Sequence, residues 1–189
     1  MKNILETLED SRFKYDNVPC GDGQYLKELM IKTRRKSALE IGSANGYSAI
    51  WIGLGVKVNN GMLHTIEINR SLVNKCRENI HSAGLTQTVN CIEGNAKDEV
   101  KTLRKFFDFL FLDLGPVDML PILKAVEPKL TDNALIAIHN LNFEQSYTLL
   151  FQYASSKGWL IDREHTDDCG GYGFFLITKT AAKRHITTQ

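Results

Sequence analysis

The chain has 189 residues, 43% of them hydrophobic and 24% charged, with a formal net charge of +1 at pH 7. Such values describe one ordinary globular domain whose core needs no covalent staples. They exclude a polyelectrolyte drive toward nucleic acid or an anionic membrane, and no apolar run is long enough to cross a bilayer.

Residues 1–17 lack the apolar block of a secretory signal and carry a helical stripe of Ile4, Leu5 and Leu8. From residue 18 to 179 helix and strand alternate, which sets the main domain. The patterning predicts helix over Gly23–Lys32, strand over Ser37–Ile41 and helix over Tyr47–Val56. Strand Gly61–Ile66, helix Arg70–Ala83, strand Thr88–Glu93 and helix Ala96–Lys105 follow. Strand Phe107–Asp113, helix Val117–Leu130, strand Ala134–His139 and helix Phe143–Lys157 come next, then strands Trp159–His165 and Phe174–Lys179. Turn signals at Asn59-Asn60-Gly61, Ala83-Gly84, Thr131-Asp132-Asn133 and Ser156-Lys157-Gly158 fall between elements. Residues 180–189 form a polar tail expected to fray.

This alternation predicts an α/β fold: a Rossmann-like, seven-stranded, mostly parallel sheet with helices on both faces. The segment between the last two strands is too short for a helical crossover, so they are expected to close the sheet as an antiparallel hairpin. Cys20, Cys76, Cys91 and Cys169 make no Cys-x-x-Cys pair and no zinc-finger spacing. Reduced thiols and a cytoplasmic setting are the expectation. Trp51 falls on an apolar helical face and is expected in the core, while Arg34-Arg35-Lys36 and Lys183-Arg184-His185 read as solvated charge.

The first strand ends in Glu40 and runs into Gly42-Ser43-Ala44-Asn45-Gly46-Tyr47-Ser48. Dinucleotide loops have the spacing Gly-x-Gly-x-x-Gly, which brings backbone N–H groups against a pyrophosphate. Here the spacing is Gly42-x-x-x-Gly46, and Glu40 would repel a phosphate. A carboxylate at this strand tip suits a cation. S-adenosylmethionine, with an ammonium, a sulfonium and no phosphate, fits the loop better than NAD. Glu67, at the tip of the second strand, is placed to hold ribose hydroxyls, or else to serve the next helix as a cap. Asn95 either borders an adenine or caps the helix that starts at Ala96. Asp113, His139 and Asn140 end the fourth and fifth strands on the same rim, as a substrate clamp or a metal site. His165, Asp167 and Asp168 sit in a glycine-rich turn that reads as solvated.

From about Val18 to Lys179 the sequence resembles the class I S-adenosylmethionine-dependent O-methyltransferases. The resemblance is to the catechol and caffeoyl-CoA branch and its bacterial relatives. It rests on Gly23-Gln24, Leu39-Glu40-Ile41-Gly42, Gly46-Tyr47-Ser48, Thr65-Ile66-Glu67-Ile68-Asn69, Ala83-Gly84-Leu85, Gly94-Asn95-Ala96 and Phe111-Leu112-Asp113. It implies that Glu40, Gly42 and Ser48 contact the methionine portion, Glu67 the ribose and Ala96 the adenine. Ser43, Gly46, Tyr47, Asn95 and Asp113 complete the expected cofactor-binding set. It further implies a small-molecule acceptor and a homodimer as one arrangement; the near-neutral charge and the lack of a spanning run lead to no expectation of a nucleic-acid or membrane partner.

The branch holds a divalent ion with an aspartate after the fourth strand and an Asp-Asn pair after the fifth. Asp113 and Asn140 match, but His139 replaces the middle aspartate, and Pro116 stands where the branch has a lysine. Two versions therefore stay open. In one, Asp113, His139 and Asn140 hold a metal that acidifies the acceptor hydroxyl. In the other, favoured by His139 and Pro116, no metal is used. His139 is then the base, with an ordinary pKa of about 6.5, and Asp113 orients it. The rivals are an NAD-dependent oxidoreductase and a binding domain without catalysis.

Overall fold

A computed structural model describes residues 4–139, 144–164 and 174–180. The expectations placed on Asn140, on His165 with the turn at 166–173, and on residues 181–189 lie outside these residues. Short N-terminal helices α1 (Ile4–Asp10) and α2 (Arg12–Tyr15) lead into α3 (Cys20–Thr33). Then come β1 (Ser37–Ile41), α4 (Tyr47–Val58), β2 (Met62–Glu67), α5 (Arg70–Ser82), β3 (Val89–Glu93) and α6 (Ala96–Thr102). The second half runs β4 (Phe107–Leu112), α7 (Pro116–Val126), β5 (Leu130–Ile138), α8 (Glu144–Ser156), β6 (Leu160–Glu164) and β7 (Phe174–Thr178).

The strands form one seven-stranded sheet in the order β3-β2-β1-β4-β5-β7-β6. β1 to β5 pair in parallel, whereas β7 is antiparallel to both β5 and β6. The last two strands thus pair as the short connection required, with β7 inserted between β5 and β6. Strand order reverses at β1 and β4, so the crevice outside their carboxyl ends is where a ligand belongs.

Side-chain alternation builds two cores. On β4, Phe109 and Phe111 face the layer that holds Met30, Ile50 and Trp51, while Leu110 and Leu112 face the layer of Met119, Leu123 and Leu150. Leu5 and Leu8 of α1 join the first core, as their stripe predicts. No helix among the described residues is long and apolar enough to cross a membrane.

Several boundaries differ from expectation. α3 starts at Cys20, not Gly23, because Pro19 presets the turn and its carbonyl accepts from Gly23 N at 3.0 Å. Gly23 is then needed for contact: a Cβ there would lie 2.3 Å from the Trp51 ring. The longer helix carries Asp22 into the interior. α7 ends at Val126 and a short 3₁₀ turn, Glu127–Lys129, follows, since Pro128 lacks the N–H that a continuing helix uses. β5 consequently begins at Leu130 and absorbs Thr131-Asp132-Asn133 as an irregularity, with Asn133 at φ 65° and its N–H donated to Lys179 O.

Candidate active site

The carboxyl ends of β1, β2, β3 and β4 open onto a cleft of about 570 Å³ of empty space, part of it open to solvent. Gly42, Glu67, Ile68, Asn95, Ala96 and Ile122 are among its walls. The structure therefore gathers Gly42, Glu67, Asn95 and Ala96 around one space.

Glu40, the last residue but one of β1, lies beside Thr65 of β2 and Phe111 of β4, and it is fully buried. Neither carboxylate oxygen has a hydrogen-bond partner among the described residues. Burial raises its pKa to about 7, aided by the charges of Asp113 and Glu67. The Ser48 and Thr65 hydroxyls pull the other way, close enough to be felt but without hydrogen-bond geometry. An interior carboxylate left this way is costly unless a cation meets it.

The loop after β1 is held from both sides. Gly42 N donates to Ile66 O at 2.9 Å and Gly46 N to Ser43 O at 2.7 Å. Gly42 takes φ 90°, and a Cβ there would lie 2.6 Å from the Asp113 carbonyl oxygen. Glu67 accepts from Ala44 N at 3.1 Å and Asn69 N at 2.8 Å, which fixes its carboxylate while leaving acceptor lone pairs for a ligand. It does not cap α5; Asn69 does, accepting from Ser71 N and Leu72 N. Asn95 caps α6 through Lys97 N at 2.9 Å and also borders the cleft, so its two readings coexist. Ser43 and Ser48 are buried in the loop and the first turn of α4. Tyr47 turns its ring into the core against Trp51, and its hydroxyl donates to Glu9 at 2.7 Å. Only its backbone therefore lies on the loop.

A second cluster lies at the rim. His139 N donates to Leu112 O at 3.0 Å, continuing the β4–β5 pairing and setting His139 level with Asp113. His139 Nδ1 lies 3.5 Å from Asp113 Oδ1, and Nε2 lies 2.8 Å from Asp22 Oδ2. The His139 ring is buried and tilted against Phe174 at 5.3 Å. Burial alone would lower its pKa, but the carboxylates of Asp113 and Asp22 outweigh that and raise it to about 9. The expectation of a base titrating near 6.5 is therefore corrected: at neutral pH this ring is a cation between two acids. Asp22 is the residue that sequence reasoning missed. Its one signal was position, directly before Gly23-Gln24.

The residues fit the two expected ligands differently. The lone Glu40 carboxylate and the Gly42 turn fit the cationic methionine end of S-adenosylmethionine. A divalent ion finds Asp113 and His139 among the described residues, but Nε2 of His139 is taken by Asp22. No group of three or more His, Cys, Asp and Glu able to hold a metal ion occurs among the described residues. These residues do not make up a divalent-ion site.

Residues 39–141 match the profile of a protein family described as "Methyltransferase domain". A catechol O-methyltransferase of Niastella koreensis is 33% identical over 101 residues, covering 51% of this chain and 45% of that protein. One from Mycobacterium tuberculosis is 31% identical over 97 residues, covering 51% and 44%. The match thus spans less than half the length of these curated relatives. Among solved structures, an O-methyltransferase from Bacillus cereus in complex with SAH superposes with a TM-score of 0.82 at 20% identity, covering 96% of this chain and 92% of that one. The O-methyltransferase TomG from Streptomyces achromogenes, in complex with SAM, gives 0.83 at 22% identity, covering 96% and 91%. At such identities the structural likeness establishes the shared fold.

Proposed function

The chain belongs to the methyltransferase domain family, and from that premise we propose that it moves the methyl group of S-adenosylmethionine onto an oxygen of a small-molecule acceptor. The observation that carries this reading is Glu40, a buried carboxylate at the β1 tip with no hydrogen-bond partner among the described residues. A cationic ligand converts its desolvation cost into attraction, whereas a pyrophosphate would add to it.

When bound, S-adenosylmethionine supplies a methyl group on a sulfonium that is its own leaving group. The chain's part is to align and to manage one proton. Glu40 receives the ammonium, Glu67 the ribose hydroxyls, and Asn95 with Ala96 the adenine edge. Gly42, lying against the Asp113 carbonyl, sets the donor beside the rim. Asp113 is the more exposed partner of His139 and faces the acceptor, where its carboxylate takes the hydroxyl proton as oxygen attacks. His139, held by Asp22, orients that carboxylate. Pro116 has no proton to give or take, so this work stays with Asp113 and His139.

Isothermal titration of the purified protein with S-adenosylhomocysteine (SAH), S-adenosylmethionine and NAD tests the reading. Binding of the first two and none of NAD is expected. Binding of NAD alone, or of no nucleoside at all, overturns it.

A further inference from the structure

Cys76 on α5 and Cys91 on β3 bring their sulfurs to 3.2 Å. Cys76 is fully buried and Cys91 is partly exposed. Cys76 lies directly against the loop that follows β1. A Cβ at Gly46 would sit 2.8 Å from Cys76 Sγ and 3.2 Å from Cys76 Cα. Ser43 also lies within reach of the Cys76 thiol. Near the next turn of α5, Asn79 Nδ2 donates to Asn45 O at 2.8 Å. So α5 touches this loop through Cys76 and grips it through Asn79.

We propose that Cys76 and Cys91 form a reversible disulfide under peroxide, and that closing it loosens the loop that holds the methyl donor. The loop's part in donor binding rests on the function proposed above. The thiol chemistry does not.

A disulfide needs sulfurs about 2.05 Å apart, so closure moves them together by roughly 1 Å. α5 carries Cys76, and its movement toward β3 strains the contacts at Gly46 and Asn45. The two thiols are unlike in a useful way. The hydrogen bond from Cys76 lowers the Cys91 pKa against the effect of burial, and the Arg77 charge helps. The Cys76 thiol is pushed up by Cys91 and by burial. Cys91, the partly exposed thiol of the pair, is the one that peroxide reaches and is the attacking sulfur. It takes one oxygen of the peroxide to give a sulfenic acid, and the other oxygen leaves as water after protonation. Cys76 sulfur then attacks Cys91 sulfur, the S–O bond breaks, and a second water leaves. Two thiols lose two electrons and two protons in all, and one peroxide is reduced.

The test treats the full chain with a few equivalents of hydrogen peroxide. Thiols are then counted under denaturing conditions, linked peptides are mapped, and SAH affinity is measured by calorimetry. A Cys76–Cys91 linked peptide is expected, with SAH affinity reduced about tenfold and both effects reversed by dithiothreitol. Cys91→Ser should keep the reduced protein's affinity and lose the response to peroxide. Free thiols throughout, or sulfinic acid at Cys91 without a link, overturns the proposal, as does a linked protein of unchanged affinity. If the reduced protein binds no SAH, the functional reading fails, and the peptide map still decides the pair.

Discussion

Asp22 and His139, 117 positions apart in the chain, meet at 2.8 Å inside the protein, and neither is more than slightly exposed. Asp113 lies on the other side of the same imidazole. Because the folded pKa of His139, about 9, lies above its ordinary value, the folded state binds the extra proton. The resulting stabilisation is complete below about pH 6.5 and is lost as pH rises through about 9. Asp22→Asn should bring the His139 titration back toward neutrality and cost roughly 3 kcal/mol at pH 6. Ring NMR and denaturant melts measure both. An unmoved titration would mean that Asp22 does not set the charge on His139. Asp22→Glu should recover part of the shift.

Glu40 carries the opposite penalty. Its carboxyl is raised to about 7 by burial, so the folded state without ligand holds a proton that the unfolded chain has lost. Stability therefore falls as pH rises from about 4.5 through 7. Glu40→Gln should flatten that slope and raise the melting temperature at pH 8, while weakening SAH binding about a hundredfold. In the wild type, SAH affinity should rise with pH across the same window, because the ammonium needs the ionised acid. Scanning calorimetry and titration calorimetry over pH 5 to 8 check both expectations.

Gly42→Ala tests the join between donor loop and rim. Its φ of 90° is strained for any side chain, and the added Cβ would press on the Asp113 carbonyl oxygen. A loss of about 1–3 kcal/mol in stability is expected, together with a loss of SAH affinity. Circular dichroism melts and calorimetry read the two effects. Normal affinity would mean that the loop does not need this turn.

Manganese titrated into the protein should stay free, as read by its electron paramagnetic resonance signal. The described rim supplies Asp113 and His139, and Asp22 already occupies the second nitrogen of His139. Chelators should likewise leave SAH affinity unchanged. Tight manganese binding that His139→Ala abolishes would restore the metal version of the site.

Much of the strand-tip arrangement was legible in order along the chain. Glu40, Gly42, Glu67 and Ala96 each follow a short apolar run, and a parallel strand delivers whatever follows it to one edge of the sheet. Tyr47 was less legible, because a side chain at the first position of a helix points wherever packing sends it, here to Glu9. The stop of α7 was written in Pro128, yet the apolar pattern ran past it.

Sequence by itself determined the strand and helix order, the acids at the ends of β1, β2 and β4 and the glycines of the turn, since these follow from local periodicity and backbone sterics. Only the tertiary structure decided that an acid from α3 reaches the histidine after β5, that this histidine is a buried cation, and that Cys76 lies against Cys91. Proximity between distant segments and the loss of water around a charge are products of packing, and no spacing along the chain encodes them.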